Sequence, residues 1–316
     1  MMYQYPSINF LLRDSSSLIF KNVTFFKSIY EMRILITHTD LDGLGSAIIA
    51  IADKLFDRIY CWNNDYVDKS IFKGNTVVVT DLSIDIPNAT IYDHHEASKK
   101  IKNAICDLKR CGTRLFYEEY VKNHNSSRDR FVHLIDVYDR WQNKNVDFTE
   151  ALDLARLCEY TCGRDNCLIY DGNVLNTCYS KFINQMLDNI SKPFKLNAIQ
   201  QLIVKNIKEN EDKEYTEAME TLKVRTDCKN NKFALCIMSK YITQNGNRYL
   251  MEHPEIVYIL VRYKTNSRKL SARSVDGFNL NNLKGLAGHP KAAGGTFSPD
   301  FLNRLENGFI NELGYK

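Results

Sequence analysis

Arg33-Ile34-Leu35-Ile36-Thr37-His38-Thr39-Asp40-Leu41-Asp42-Gly43 is the stretch from which the rest of the chain can be read. A short β-rich run, Arg33 to Thr37, ends in a histidine and two carboxylates spaced i and i+2. The following Gly45-Ser46-Ala47-Ile48-Ile49-Ala50-Ile51-Ala52 continues as a helix. Asp57 to Trp62 is a candidate second strand. Thr76-Val77-Val78-Val79-Thr80 is an unbroken apolar run, expected of a strand buried on both faces in a parallel sheet. Ala89 to Tyr92 is a fourth, short strand. This alternation predicts an α/β fold with a doubly wound, mainly parallel sheet.

The ends of these strands carry the chemistry. Asp40 and Asp42 follow the first strand, Asp81 follows the valine-rich one within Thr80-Asp81-Leu82-Ser83, and Asp93-His94-His95 follows the fourth. Open α/β sheets bind ligands in the crevice at these carboxyl ends. A fourth contribution lies in Leu134-Ile135-Asp136-Val137-Tyr138-Asp139-Arg140-Trp141, where Asp136 and Asp139 share a helix face and one or both could complete a metal site. Taken singly, each motif has a plain reading as a turn, a helix cap or a satisfied histidine. Three strand ends delivering Asp or His favour one assembled site. Carboxylates so crowded repel one another unless divalent cations offset them. The set could hold two metals about 3.5–4 Å apart with one carboxylate bridging and a water activated for attack at phosphorus. Imidazole ligands favour Mn²⁺ over Mg²⁺, with Co²⁺ as another option.

Length and composition bound this reading. The 316 residues suffice for two domains, and 44% hydrophobic and 25% charged residues are ordinary for a globular protein. No apolar run approaches the ~20 residues of a membrane helix, and Met1 to Glu31 lacks the order of a signal peptide. The core fold is expected to start at Met32, with residues 1–31 an extension of unknown role. Nine cysteines without dense spacing fit reduced thiols in the cytoplasm. The cluster Cys158, Cys162, Cys167 and Cys178 misses the paired knuckles of most zinc sites, so plain thiols are expected. From Arg225 to Lys316 there are fourteen Lys and Arg against seven Asp and Glu, leaving −3 for the remainder. An acidic half followed by a basic half suits a polyanionic substrate held by both.

Cys111 to Trp141 and Glu150 to Lys195 read as helical. Ala198 to Leu222 reads as one long charged helix. Beyond it, Phe233 to Ser239, Ile256 to Tyr263 and Lys269 to Arg273 are strands of a smaller α/β domain. The expected organisation is a metal-binding catalytic domain over 32–195, a linker helix over 196–224 and a substrate domain over 225–316. The last contains Ser271-Ala272-Arg273-Ser274 and Gly285-Leu286-Ala287-Gly288-His289-Pro290-Lys291-Ala292-Ala293-Gly294-Gly295. Gly288, Gly294 and Gly295 would let backbone N–H groups approach a ligand, and the stretch could also be a tight packing turn. Arg273 offers a planar fork for a phosphate or base edge, and His289 a donor; Ser271 joins them as a candidate substrate contact.

The His38–Gly43 opening, Thr80-Asp81-Leu82-Ser83, Asp93-His94-His95 and Tyr138-Asp139-Arg140-Trp141 together resemble the DHH phosphoesterase superfamily, and within it the nanoRNase-like oligoribonuclease branch. The resemblance runs from Met32 to the end. The glycine-rich stretch resembles the DHH-associated substrate domain, with Leu286 and Ala287 interrupting a glycine run that is longer in many members. The resemblance implies that Asp40 binds one metal and Asp42 the other, with Asp81 bridging and His94 a further ligand. It implies that His95 assists at the substrate phosphate; Asp93 then supports from behind. Asp139 matches the last ligand because of Tyr138 and Trp141, and Asp136 is the fallback. His38 lies two residues before the first aspartate where many members have four, as a ligand or as a ligand's partner. The implied activity is hydrolysis of short oligonucleotides or dinucleotides to nucleoside monophosphates. Alternatives are a cyclic-dinucleotide phosphodiesterase, a 3′-phosphoadenosine phosphate phosphatase, recycling of longer single-stranded DNA, a pyrophosphatase, or a non-catalytic nucleotide-binding module. No membrane partner is expected. The oligomeric state stays open, a homodimer included.

Overall fold

The computed structural model describes residues 31–63, 72–163, 165–266 and 268–307; the expected extension over residues 1–31 lies outside them apart from Glu31. The described residues from Met32 onward form one compact unit containing two six-stranded sheets.

The first sheet grows outward from β1 (Arg33–His38). On one side it pairs in parallel with β2 (Arg58–Trp62), and on the other with β3 (Thr76–Thr80). Beyond β3 lie β4 (Thr90–Asp93) and β5 (Ala104–Cys106), both parallel. The order β5-β4-β3-β1-β2 reverses direction between β3 and β1, which places a topological switch point there. Alternate residues serve opposite faces: Leu35 and Val78 enter one core, and Ile34, Ile36, Val77 and Val79 the other. Each such side chain, fully buried, contributes about 1.5–3 kcal/mol.

Helix α1 (Leu41–Ala52) is buried from Leu41 through Ile51, as befits a helix apolar on all sides. It packs on α2 (Gly112–Tyr120) and α3 (Ser126–Asp139). The approach is close: a Cβ on Gly45 would fall 2.4 Å from Ile135 Cδ1. Helices α4 (Phe148–Thr161) and α5 (Ser180–Ile190) complete this layer.

Helix α6 (Ala198–Thr221) is the long charged helix expected, about 36 Å at 1.5 Å per residue. Asn197 and Gln200 form a reciprocal capping box at its start. It packs on α4 and on β8 (Lys232–Met238) of the second sheet, and Arg156 of α4 binds Glu211 through Nε and Nη2 at 2.6–3.0 Å.

The second sheet contains β7 (Lys223–Thr226), β8 (Lys232–Met238), β9 (Tyr258–Tyr263), β10 (Lys269–Ser274), β11 (Leu286–His289) and β12 (Ala292–Thr296). Its order is β11-β12-β10-β9-β8-β7, with β8 and β9 parallel and the other pairs antiparallel. Helices α7 (Ile242–Glu252) and α8 (Pro299–Asn307) flank it.

Two features depart from the sequence expectation. The stretch 150–195 is not helical throughout: β6 (Cys167–Tyr170) pairs antiparallel with β2 and closes that edge of the first sheet. Four residues on an edge are too few to show a period. The glycine-rich stretch is a strand pair rather than a loop. Gly294 and Gly295 lie within β12, opposite Ser271 and Leu270 of β10. A Cβ on Gly295 would stand 2.3 Å from the Gly285 carbonyl oxygen, so packing alone demands glycine there. Among the described residues, no helix is long and apolar enough to cross a membrane.

Candidate metal centre

The parallel strands β1, β3 and β4 end on the same edge of the sheet, and their last residues converge there. Helix α1 starts immediately after β1, so Asp40 becomes its N-cap and accepts from Gly43 N at 3.1 Å. The other Asp40 oxygen lies 2.7 Å from His38 Nδ1. Only glycine fits at position 43, because a Cβ would stand 2.3 Å from the His38 carbonyl oxygen. Thr80 Oγ1 donates to Thr37 Oγ1, which donates to the Gly43 carbonyl, joining the ends of β3 and β1 to the first turn of α1.

Asp42 points into the protein. Its oxygens accept from Gly112 N and Thr113 N, both at 2.7 Å, at the start of α2, where helix dipole and free N–H groups favour an anion. Asp81 follows β3 in a left-handed conformation (φ 56°), its N–H donating to the Tyr92 carbonyl of β4. The same turn aims its two oxygens apart: Oδ1 is 3.2 Å from His94 Nε2, and Oδ2 is 3.6 Å from His38 Nδ1. His94 Nε2 also lies 3.5 Å from Asp139 Oδ2 and 3.7 Å from Asp42 Oδ2.

Among the described residues four sets of potential ligands lie close together: His38–Asp40–Asp81, Asp42–His94–Asp139, Asp81–Asp93–His94–His95 and His94–His95–His289, with Asp81 in contact with both of the first two. The burial of Asp81 Oδ2 and Asp139 Oδ2 tests whether cations fit. Neither has a hydrogen-bond partner among the described residues, and a buried carboxylate oxygen without a donor is costly. A divalent cation held by these residues would meet such oxygens, and carboxylate oxygen with imidazole is a donor set that suits one.

The charges show the same crowding. Asp40 beside it pushes the His38 imidazole up to about 12. Burial works against a charged His94, but Asp81, Asp139 and Asp42 together lift it to about 11. Burial and the neighbouring carboxylates push Asp42 well up, and burial raises Asp139 to about 7. Asp81 is held well below its ordinary range: burial opposes ionisation, but the neighbouring imidazoles of His38 and His94 outweigh it.

Asp93 lies behind this cluster, fully buried. Its Oδ1 accepts from His94 N at 2.8 Å and from His95 Nδ1 at 2.6 Å. Its Oδ2 accepts from Ser83 Oγ at 2.8 Å and from Ser98 Oγ. The sequence reading did not include Ser98, Gly112 or Thr113, since none belongs to a charged motif.

Asp136 does not join the cluster. It accepts from Cys111 N at 2.8 Å, Arg114 Nη1 at 3.0 Å and Gln142 Nε2 at 3.2 Å, and so ties α3 to α2. None of the candidate ligand groups contains a cysteine; among the described residues Cys158, Cys162, Cys167 and Cys178 are free thiols.

From the second sheet, His289 ends β11 with its ring 4.6 Å from that of His95 and 5.2 Å from that of His94. Burial and the two imidazoles lower it to about 4, which keeps it neutral. Gly288 beside it has φ 143°, and a Cβ there would lie 2.6 Å from the Ala292 carbonyl oxygen. Arg273 and Ser271 share one face of β10. Arg273 Nη1 donates to Ser271 Oγ at 3.0 Å and to the Ala272 carbonyl at 2.7 Å, and Nη2 donates to Thr243 Oγ1 at 2.5 Å.

No family model matches the sequence, and no curated protein matches it. Solved structures do. The DHH domain of a member of a ribosomal-protein family superposes with a TM-score of 0.57 at 13% identity, over 87% of this chain and 87% of that one. A pGpG-specific phosphodiesterase from Vibrio cholerae superposes at 0.54 with 17% identity, over 87% of this chain and 96% of that one. At such identities the likeness is one of fold, and it spans both sheets: this chain has the fold of the DHH-domain proteins.

Proposed function

We propose that this protein is a metal-dependent phosphodiesterase that hydrolyses short oligonucleotides, dinucleotides included, to nucleoside monophosphates. The observation that carries the reading is the convergence of Asp40, Asp42, Asp81, Asp139, His38 and His94 at one sheet edge, with buried carboxylate oxygens that lack donors. His38, Asp40 and Asp81 would hold one divalent cation, and Asp42, His94, Asp139 and Asp81 a second. When bound, the cations would offset the carboxylate charge and supply the Lewis acidity and water activation that phosphoryl transfer needs.

The remaining residues orient substrate and handle the proton. Asp93 accepts from His95 Nδ1, which fixes the ring and leaves Nε2 to face the substrate phosphate. Burial opposes a charge on His95, but Asp93 and Asp81 outweigh it, and the ring is poised to donate a proton to the leaving oxygen. Neutral His289 stands beside it as a second hydrogen-bond partner. Arg273, already forked by Ser271 and Thr243, would grip a terminal phosphate or base edge.

A fold neighbour that acts on pGpG is consistent with a dinucleotide substrate. The test is to rank rates with Mn²⁺ on short RNA, short DNA, linear and cyclic dinucleotides, 3′-phosphoadenosine phosphate and pyrophosphate. The expected order has short linear oligonucleotides first. Faster pyrophosphate turnover, or no turnover of any nucleotide by metal-loaded protein, overturns it.

A further inference from the structure

Glu159, an α4 residue outside every motif, joins α3 beside the first sheet to α7 beside the second, across the cleft in which a substrate held by both would lie. Its Oε2 accepts from Gln244 Nε2 of α7 at 3.0 Å, and its Oε1 accepts from Tyr138 Oη of α3 at 3.2 Å. Each partner adjoins a residue of the proposed machinery. Tyr138 precedes Asp139, whose Oδ2 faces His94. Gln244 follows Thr243, whose hydroxyl accepts from Arg273 Nη2, and the α7 backbone passes close to the same arginine: a Cβ on Gly246 would lie 3.3 Å from Arg273 Cγ. Among the described residues Arg273 Nε and Gln244 Oε1 have no hydrogen-bond partner, so the arginine's aim depends on Ser271, the Ala272 carbonyl and Thr243.

We propose that Glu159 is a positioning residue: by holding Tyr138 and Gln244 on one carboxylate, it sets where α7 places Arg273 relative to the metal side of the cleft. The inference rests on the proposed phosphodiesterase reading and adds a residue that touches neither cation nor substrate. A long substrate spanning the cleft needs both sides at a fixed separation; a small phosphodiester at the metals does not. Glu159 is solvent-exposed, so its hydrogen bonds are screened and the effect is modest.

The experiment compares full-length wild-type protein with Glu159→Ala, Gln244→Ala and the double variant, all loaded with Mn²⁺. Each is assayed on a linear dinucleotide and on bis(p-nitrophenyl) phosphate, with thermal melts alongside. Each single substitution is expected to raise the dinucleotide KM by roughly three- to tenfold. Turnover of the chromogenic ester should stay unchanged, and the double variant should be no worse than Glu159→Ala alone, because that substitution already removes the hydrogen bond to Gln244. Glu159→Gln should restore much of the affinity, since its amide oxygen still accepts from Tyr138 and the Gln244 amide can turn to accept from it. An unchanged dinucleotide KM, a parallel fall on both substrates, or additive effects in the double variant overturns the inference while leaving the phosphodiesterase reading intact. Wild-type protein that turns over no dinucleotide removes both.

Discussion

The ring of His289 stands 4.6 Å from the ring of His95, although one ends a strand of the second sheet and the other follows a strand of the first. If the proposed function holds, that contact puts a group from the second sheet beside the substrate phosphate. His289→Ala should lower kcat/KM on a dinucleotide by about 10–100-fold, a loss of roughly 1.4–2.7 kcal/mol in transition-state stabilisation. His289→Gln, which keeps a donor at similar reach, should lose less. Full activity in His289→Ala would show that the two rings meet without serving the chemistry.

Asp136 and Asp139, one helical turn apart, should separate cleanly on substitution. Among the described residues Asp139 Oδ2 has no hydrogen-bond donor and it faces His94, so Asp139→Asn should cut metal-dependent hydrolysis on the order of 100-fold with little change in melting temperature. Asp136 is enclosed by Cys111 N, Arg114 and Gln142; Asp136→Asn should therefore cost about 2 kcal/mol of stability. Kinetics and thermal melts on the two variants decide it. The reverse pattern would move the ligand role to Asp136.

How far the sequence foretold this depended on the range of the signal. Parallel strands buried on both faces read directly from Val77-Val78-Val79, and each delivers its acid at the same edge, so the fold class and the gathering of Asp40, Asp42, Asp81 and His94 were legible. Asp136 and Asp139 were not separable, because i and i+3 share a face and only the tertiary donors Cys111 N and Gln142 occupy one of them. Ser98 gave no signal: it reaches Asp93 only because the chain turns back after His95. The strands β11 and β12 were hidden by glycine and alanine, which have little β propensity; register with β10 supplies what composition lacks.

Gly112 should prove to be a metal-affinity residue despite having no side chain. Its N–H donates to Asp42, and a Cβ on it would lie 2.8 Å from Asp81 Cβ and 3.0 Å from Asp81 Cα. Gly112→Ala must displace the carboxylate that adjoins both ligand groups. Mn²⁺ affinity is expected to weaken by about tenfold or more, by analogy with the loss of supporting groups around metal sites, and stability to fall by about 1–3 kcal/mol. Titration of Mn²⁺ into the variant is the check; unaltered affinity would mean that Asp81 has room to yield.

The last prediction concerns pH and cations together. His38 and His94 carry pKa values of about 12 and 11 in the folded protein, whereas an unfolded histidine titrates near 6.5. Between about 6.5 and 11 the folded state therefore keeps protons that the unfolded chain has released, so stability must fall as pH rises through that window. Asp139, raised to about 7 by burial, adds a slope of the same sign between about 4 and 7. Asp81, held low, contributes the opposite slope only below about 4, outside a neutral-to-alkaline scan. Divalent cations replace those protons as the source of positive charge. In chelator the melting temperature should decline steadily from pH 6.5 to 9.5. With Mg²⁺ in excess the curve should be much flatter and the protein more stable throughout, by about 2.7 kcal/mol at a hundred times Kd. Parallel curves with and without the cation would count against Asp42, Asp81, Asp139 and His94 as its ligands.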